Sequence, residues 1–241
     1  MHPIFIYILP YILIGIVGMA LGSRKANVTT EEKKQRWTKL VMYVLILLGV
    51  IISILAQGRY FFYLSLAIVG IGQIELIKVA LKHPATIRFY IKSEVMWIVV
   101  SLGFVYFAAT TPANWILMGY FIVITFDGFS QIFGQIFGKR PFFQQISPNK
   151  TLEGTLGGAL SGLTAAVVAS SWVSISWVTA IGLGLATVVF AQIGDLTASY
   201  YKRIHQVKDF SKLLPGQGGV IDRFDSFLVV GALYGYVGGC F

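Results

Sequence analysis

The chain has 241 residues, of which 56% are hydrophobic and only 12% are charged, and its mean hydropathy is +0.75. This composition excludes an ordinary water-soluble domain and predicts an all-α integral membrane protein. Polar residues within its spans and charged connections between them predict that its helices enclose a polar cavity facing the cytoplasm. The formal net charge of +9 is typical of basic cytoplasmic loops beside anionic lipids. No nucleic-acid-binding module is visible, so nucleic acid is not an expected partner.

Apolar runs long enough to cross about 30 Å of hydrocarbon predict about eight transmembrane helices. They lie near residues 3–22, 38–57, 60–81, 94–110, 113–137, 155–173, 176–201 and 221–240. The first run lacks a basic N-terminal region, so we expect a retained span rather than a signal peptide. We see no internal repeat or linker, and residues 1–241 are predicted to form one membrane domain.

Basic side chains are concentrated in alternate connections between the predicted spans. Seventeen of the 19 Lys and Arg residues fall in or beside four connections, near residues 24–39, 78–92, 139–150 and 202–212. The positive-inside rule places all four on the cytoplasmic side and both termini outside. The single cysteine, Cys240, excludes an intrachain disulfide and a cysteine metal site.

Polar side chains recur at helical spacing near the predicted cytoplasmic ends of three spans. They are Asp127, Gln131 and Gln135 in the fifth span, Gln192, Asp195, Ser199 and Lys202 in the seventh, and Asp222, Asp225 and Ser226 in the eighth. An acid inside a span is costly unless it binds an ion or takes part in chemistry, so the three helices predict a cation site. The alternative is helix–helix contact, with Gly134 and Gly138 as a close-packing pair.

Two connections carry residue types that bind phosphate. In the connection between the fifth and sixth spans these are Lys139, Ser147, Lys150 and Thr151, before a helix N-terminus. In the connection before the eighth span they are Gly216, Gly218 and Gly219, whose backbone amides could approach an anion closely. The alternative for the first connection is a loop that only sets the topology of the chain. The alternative for the second connection is a plain turn between two spans.

Two blocks of the sequence resemble the CDP-diacylglycerol synthase (phosphatidate cytidylyltransferase) family. The first block contains Asp127, Gly-Lys at 138–139 and Ser-Pro-Asn-Lys-Thr-Leu-Glu-Gly at 147–154. The second runs from Gly-Asp-Leu at 194–196 to Asp-Arg-Phe-Asp at 222–225. The resemblance covers the C-terminal half, approximately 120–241, which would be the catalytic half.

The resemblance implies transfer of CMP from CTP to a lipid phosphate, with phosphatidate as the expected acceptor. The products would be CDP-diacylglycerol and pyrophosphate. The implied metal ligands are Asp195 and Asp222, for Mg²⁺ and with room for a second ion, and the implied catalytic residues are Asp195, Asp222, Lys202, Arg203 and Asp225. The implied substrate-binding residues are Asp127, Lys139, Ser147, Lys150, Thr151, Ser199, Lys208, Gln217, Gly218, Gly219 and Arg223. The expected setting is a bacterial cell membrane, with surrounding lipids as partners and a homodimer allowed.

Two positions depart from the family pattern, because Gln217 stands where the family usually has His and Ala198 where it usually has an acid. Gln can donate to phosphate but cannot exchange a proton near neutral pH. The alternatives are therefore a cytidylyltransferase or CTP-dependent kinase for another membrane lipid, or, from a different class, an ion or solute transporter. We expect His205 to lie at the surface of a loop. For Glu75 we expect a pairing with Lys78, one turn further along the helix, and assign no other role.

Overall fold

The computed structural model of the chain describes residues 4–7, 9–10, 13, 29–56 and 59–238. Apart from two isolated β-bridges, this part of the chain contains no strand, which confirms the predicted all-α class. From residue 29 onwards its α-helices are α1 (Thr30–Leu55), α2 (Arg59–Lys82), α3 (Ile87–Thr110), α4 (Ala113–Phe137), α5 (Leu152–Ala169), α6 (Trp177–Ile204) and α7 (Ile221–Val237), and a short 3-10 helix covers Ser170–Trp172.

Helices α1 to α6 are long and apolar enough to cross a membrane. Helix α7 has 17 residues and is about 26 Å long, at the short end of the range for a spanning helix. Most of the predicted first span, near 3–22, and Cys240 lie outside the described residues. The multi-pass architecture is thus confirmed, whereas the count of eight helices stays a prediction.

Helix α7 lies at the centre of the bundle and packs against α2, α3, α4 and α6. Phe227 of α7 is the hub of its aromatic contacts, with ring centroids 5.0 Å from Tyr120, 5.5 Å from Phe104 and 6.1 Å from Phe61. These edge-on and tilted contacts fill the space between four helices. They fix the helix that carries Asp222 and Asp225 into the interior.

The described parts of the four basic connections lie at one end of the bundle, as the charge pattern predicts. Three side-chain-to-backbone hydrogen bonds join them: Arg203 Nε to Ile146 O at 3.1 Å, His205 Nδ1 to His83 O at 2.5 Å, and Gln217 Nε2 to Lys39 O at 2.6 Å. At the other end, the side-chain amide of Asn114 donates to Trp172 O at 2.9 Å. The basic side chains are therefore concentrated at one end of the bundle.

The expected surface position of His205 is wrong, because the residue is only 1% exposed. Its ring packs against Tyr201 and Phe89, with centroids 4.4 and 5.7 Å away. His205 thus joins the end of α6 to the connection between α2 and α3.

Glycines allow α4 and α5 to approach closely, which confirms the packing role considered for Gly134. A Cβ at Gly154 would lie 3.0 Å from the Cα of Gly134 and 2.7 Å from Ser130 O. A Cβ at Gly158 would lie 2.7 Å from Phe126 O. Small residues at these positions let the two backbones pack with no side chain between them.

We predict that Gly158→Ala destabilises the protein by about 1–3 kcal/mol, because the added methyl group meets backbone that cannot move away. Gly182→Ala is the matched control, since a Cβ there meets nothing within 4 Å and alanine is the better helix former. Thermal unfolding in detergent should show a lower apparent Tm for Gly158→Ala alone. Equal midpoints for the two variants would contradict the packing geometry.

Candidate active site

Three acids on three helices lie near one another at the basic end. Asp127 comes from α4, Asp195 from α6 and Asp225 from α7, and each interacts electrostatically with the other two. The hydroxyl of Ser226 lies 3.5 Å from Asp127 Oδ1 and links α7 to α4. The structure therefore brings together one acid from each helix that the sequence singles out. We call these three residues the acid cluster.

Gly194 explains how α6 and α7 come close enough to form the acid cluster. A Cβ at this position would lie 2.5 Å from the carbonyl oxygen of Asp225. Only glycine lets the two helices cross here without displacing the backbone. The neighbouring residue in the chain, Asp195, is thereby placed beside Asp225.

The acid cluster is accessible. Asp127 is exposed. Asp195 keeps 28% of its side chain exposed, and Asp225 is half-buried. An ion or a phosphate group could reach these carboxylates.

Lys150 forms an ion pair with Asp195. The connection that carries Lys150 is folded back on itself, because Phe142 N donates to Lys150 O at 2.8 Å and Leu152 N to Arg140 O at 2.9 Å. The structure thus places a lysine from the predicted phosphate-binding loop directly on an acid of the cluster.

The other predicted residues of this loop have mainly structural contacts. The hydroxyl of Thr151 accepts from Gly154 N at 3.1 Å and caps α5. The carbonyl of Ser147 accepts from Lys150 N at 3.2 Å and closes a turn. Lys139 is exposed, and its backbone amide donates to Glu153 at 3.0 Å. Phosphate binding by these three side chains stays a prediction.

Asp222 has a different environment from the acid cluster, because its side chain is only 2% exposed. Its Oδ1 accepts from Lys202 Nζ at 2.6 Å, and its Oδ2 accepts from the backbone amides of Phe210 and Gly219, both at 2.8 Å. These donors satisfy both carboxylate oxygens. Asp222 therefore anchors the loop before α7, and its assignment as a metal ligand stays a prediction.

The glycine-rich loop is internally bonded. The amides of Gln217 and Gly218 donate to Leu214 O at 2.9 and 3.1 Å, and the amide of Gly219 donates to Asp222. Gly216 and Gly218 adopt φ values of +72° and +87°, which favour glycine. The amides of residues 217–219 thus have partners within the protein, and an anion site here stays a prediction.

Glu75 is a site residue that the sequence analysis missed. Its carboxylate is 3% exposed and accepts from Ser211 Oγ at 2.6 Å and from the amides of Val220 and Ile221 at 3.0 Å each. The expected pairing with Lys78 is wrong, because Lys78 is exposed and no ion pair of Glu75 occurs among the described residues. The available signal was a lone acid in the middle of an apolar span.

The remaining predicted residues lie around this end of the bundle. Ser199 is buried on α6, one turn after Asp195, and Arg203 is exposed and bonded to Ile146 O. Arg223 is exposed and interacts electrostatically with Asp127. Lys208 is exposed in the loop that follows α6. Their contacts with substrate stay predictions.

The acid cluster fits Mg²⁺ in its chemistry, because carboxylate oxygens are the ligands that this ion prefers. Within residues 29–56 and 59–238, however, no three His, Cys, Asp or Glu side chains are arranged so that they could hold a metal ion by themselves. Mg²⁺ commonly binds one or two carboxylates and completes its shell with water and substrate phosphates. The donors present therefore suit an ion that arrives with a polyphosphate.

A family model described as "Cytidylyltransferase family" matches residues 108–241, more than half of the chain. The phosphatidate cytidylyltransferase of Staphylococcus haemolyticus (strain JCSC1435) is 40% identical over 139 residues, which cover 54% of this chain and 52% of the relative. The protein of the same name from Staphylococcus aureus (strain COL) is 38% identical over 136 residues, with the same shares. The chain thus spans about half the length of the curated relatives it matches.

We predict that Asp222→Asn lowers the free energy of unfolding by about 3–5 kcal/mol, because Lys202 and the two backbone amides lose their charged partner in the interior. Asp195→Asn is the matched control. Its ion pair is partly exposed, so the expected cost is about 0–1 kcal/mol. Thermal unfolding of the purified variants without nucleotide measures the difference. Similar losses for both would contradict the distinction between an anchoring and an accessible acid.

Proposed function

We propose, because this chain belongs to the cytidylyltransferase family, that it transfers CMP from CTP to phosphatidate and releases pyrophosphate. Family membership confirms the resemblance predicted from the sequence. The observation that carries the proposal is the acid cluster with two lysines at the basic end of a membrane bundle. The names of the Staphylococcus relatives support phosphatidate as the acceptor.

The reaction needs charge neutralisation more than proton transfer. A phosphate oxygen of phosphatidate attacks the α-phosphorus of CTP, so a new P–O bond forms while the bond between the α-phosphorus and the bridging oxygen to the β-phosphorus breaks. Pyrophosphate leaves with that bridging oxygen. The attacking phosphomonoester has a second pKa of about 6 and is already largely dianionic at neutral pH. Two anions must nevertheless approach each other, which favours cations placed around them.

The two Lys–Asp pairs are suited to this task. Lys150 and Lys202 each neutralise an aspartate, and Lys150, whose ion pair is partly exposed, can exchange its carboxylate for a phosphate oxygen when a nucleotide enters. The exchange leaves Asp195, which is partly exposed, free to ligate a cation. Arg223, exposed beside Asp127, adds a further positive charge.

We assign Mg²⁺ as the cofactor: Asp195 would ligate it beside Asp127 and Asp225, and substrate phosphates and water would complete its shell. When bound, Mg²⁺ neutralises triphosphate charge and stabilises the departing pyrophosphate. Asp222 holds Lys202 and the glycine-rich loop in position beside this set. Direct ligation by Asp222 would require it to release one of its three donors.

Gln217 has a structural contact in this protein. Its side-chain amide donates to Lys39 O at 2.6 Å, so this residue ties the glycine-rich loop to α1. The residue that replaces the family's His therefore binds α1 and does not take part in the acid cluster. Ala198 is buried in α6, where it contributes packing.

The basic end should face the cytoplasm, where CTP is present, because positively charged connections are retained on that side. The Staphylococcus relatives support a bacterial cell membrane as the location. A homodimer is compatible with this arrangement and stays a prediction.

Incubating the purified protein with phosphatidate, Mg²⁺ and CTP labelled on its α-phosphate should yield a labelled liponucleotide and an equimolar amount of pyrophosphate. We expect Asp195→Asn to lower kcat by about 100-fold or more, because it removes charge at the reacting phosphates. Glu31→Gln, an exposed acid-to-amide change in α1, is the control and should leave activity unchanged.

Other outcomes of this assay would overturn the proposal. Release of CDP in place of pyrophosphate would identify a CTP-dependent kinase. A liponucleotide formed only with a different lipid phosphate would identify another acceptor. No consumption of CTP with any lipid phosphate would favour a transporter.

Cysteine labelling tests the orientation of the bundle. In a Cys240→Ala background, Gln144→Cys marks the basic end and Ser171→Cys marks the other end, and both positions are exposed. A membrane-impermeant maleimide applied to intact cells should label Ser171→Cys, and should label Gln144→Cys only after permeabilisation. The reverse pattern would contradict a cytoplasmic active site.

A further inference from the structure

We propose that Glu75 is a positioning residue for the reaction, an inference that rests on the proposed function. Its carboxylate accepts from the amides of Val220 and Ile221 at the start of α7. The first amides of a helix lack partners within the helix, and α7 has no side-chain cap of its own. Glu75 therefore caps α7 from a different helix, with a negative charge at the positive end of the helix dipole.

The same carboxylate also holds the loop that precedes α7. Its Oε1 accepts from the hydroxyl of Ser211 at 2.6 Å as well as from Val220 N at 3.0 Å. Among the described residues no Lys or Arg forms an ion pair with Glu75. The hydroxyl and the two amides thus provide the stabilisation that a buried carboxylate needs.

Gly219 is matched to Glu75. A Cβ at Gly219 would lie 2.6 Å from Oε1 and 2.7 Å from Oε2 of Glu75. Any other residue here would push the carboxylate away from the α7 amides. The contact with Glu75 therefore requires a glycine at position 219, whether or not this loop binds phosphate.

Glu75 acts on the reaction through the residues that it places. Ile221, whose amide it binds, directly precedes Asp222, and Asp225 lies one turn further along α7. Asp222 binds the amides of Phe210 and Gly219, so two acids hold the same loop at adjacent points. Since Glu75 belongs to α2, outside the family match at 108–241, the N-terminal half contributes to the geometry of the site.

Kinetics of Glu75→Gln test the inference in the full-length protein. The amide group of Gln would face a backbone N–H, so α7 loses one cap bond and shifts. We expect kcat to fall by about 10–100-fold, the effect of a displacement of roughly 1 Å at a reacting centre, while KM for CTP changes by less than about threefold. Glu94→Gln is the control, because Glu94 accepts one bond from Gln73 and lies on α3. It should keep both constants within about twofold of the parent protein, since its amide can retain that bond.

A milder variant keeps the test valid if Glu75→Gln folds poorly. Ser211→Ala removes one donor to Glu75, and we expect kcat to fall by about 2–10-fold, the value of one hydrogen bond. Equal losses in kcat and in the folded fraction would overturn a positioning role. So would full kcat in a folded Glu75→Gln protein.

Hydrogen exchange separates failure of this inference from failure of the proposed function. The Val220 and Ile221 amides should exchange about tenfold faster or more in Glu75→Gln than in the parent protein, whether or not transfer is detected. Unchanged exchange would overturn the capping role even if the parent protein makes a liponucleotide. A parent protein without CTP-dependent transfer would overturn the proposed function and the positioning role, and the exchange rates would still decide whether Glu75 caps α7.

Discussion

The structure depends on how carboxylates are stabilised inside an apolar bundle. A buried acid is tolerated only if donors replace its lost water. Asp222 accepts hydrogen bonds from Lys202 and two backbone amides, and Glu75 accepts hydrogen bonds from a hydroxyl group and two backbone amides. Because these donors belong to the loop before α7 and to the helix itself, satisfying the acids also fixes the central helix.

The acids divide into two groups with different tasks. The buried and saturated pair, Glu75 and Asp222, positions α7 and the glycine-rich loop. The acid cluster remains accessible and keeps only one direct lysine partner among the described residues, Lys150 on Asp195. This division explains how one end of the bundle can be rigid enough to orient substrates and still leave oxygens for a cation and a polyphosphate.

The sequence predicted the features that depend on local pattern. Hydrophobic runs predicted the helices, and the alternation of basic connections predicted the shared basic end. Polar residues on three spans predicted that their acids meet, although the expected metal ligands were Asp195 and Asp222 and the acid cluster contains Asp225 in place of Asp222. Contacts between distant residues could not be predicted in this way. Glu75 is hydrogen-bonded to Ser211 and Val220, which lie 136 and 145 residues further along the chain. No periodicity in the sequence specifies such distant partners. For the same reason, the sequence assigned His205 to the surface and did not reveal that Asp222 is saturated.

We propose that a cation and the triphosphate of CTP meet at the acid cluster. A crystal structure of the protein with Mn²⁺, which replaces Mg²⁺ and scatters anomalously, and a non-hydrolysable CTP analogue would test this. We expect an anomalous peak beside Asp195 and phosphate oxygens within hydrogen-bond distance of Lys150. A nucleotide bound away from Asp127, Asp195 and Asp225, or a metal peak at the opposite end of the bundle, would contradict it.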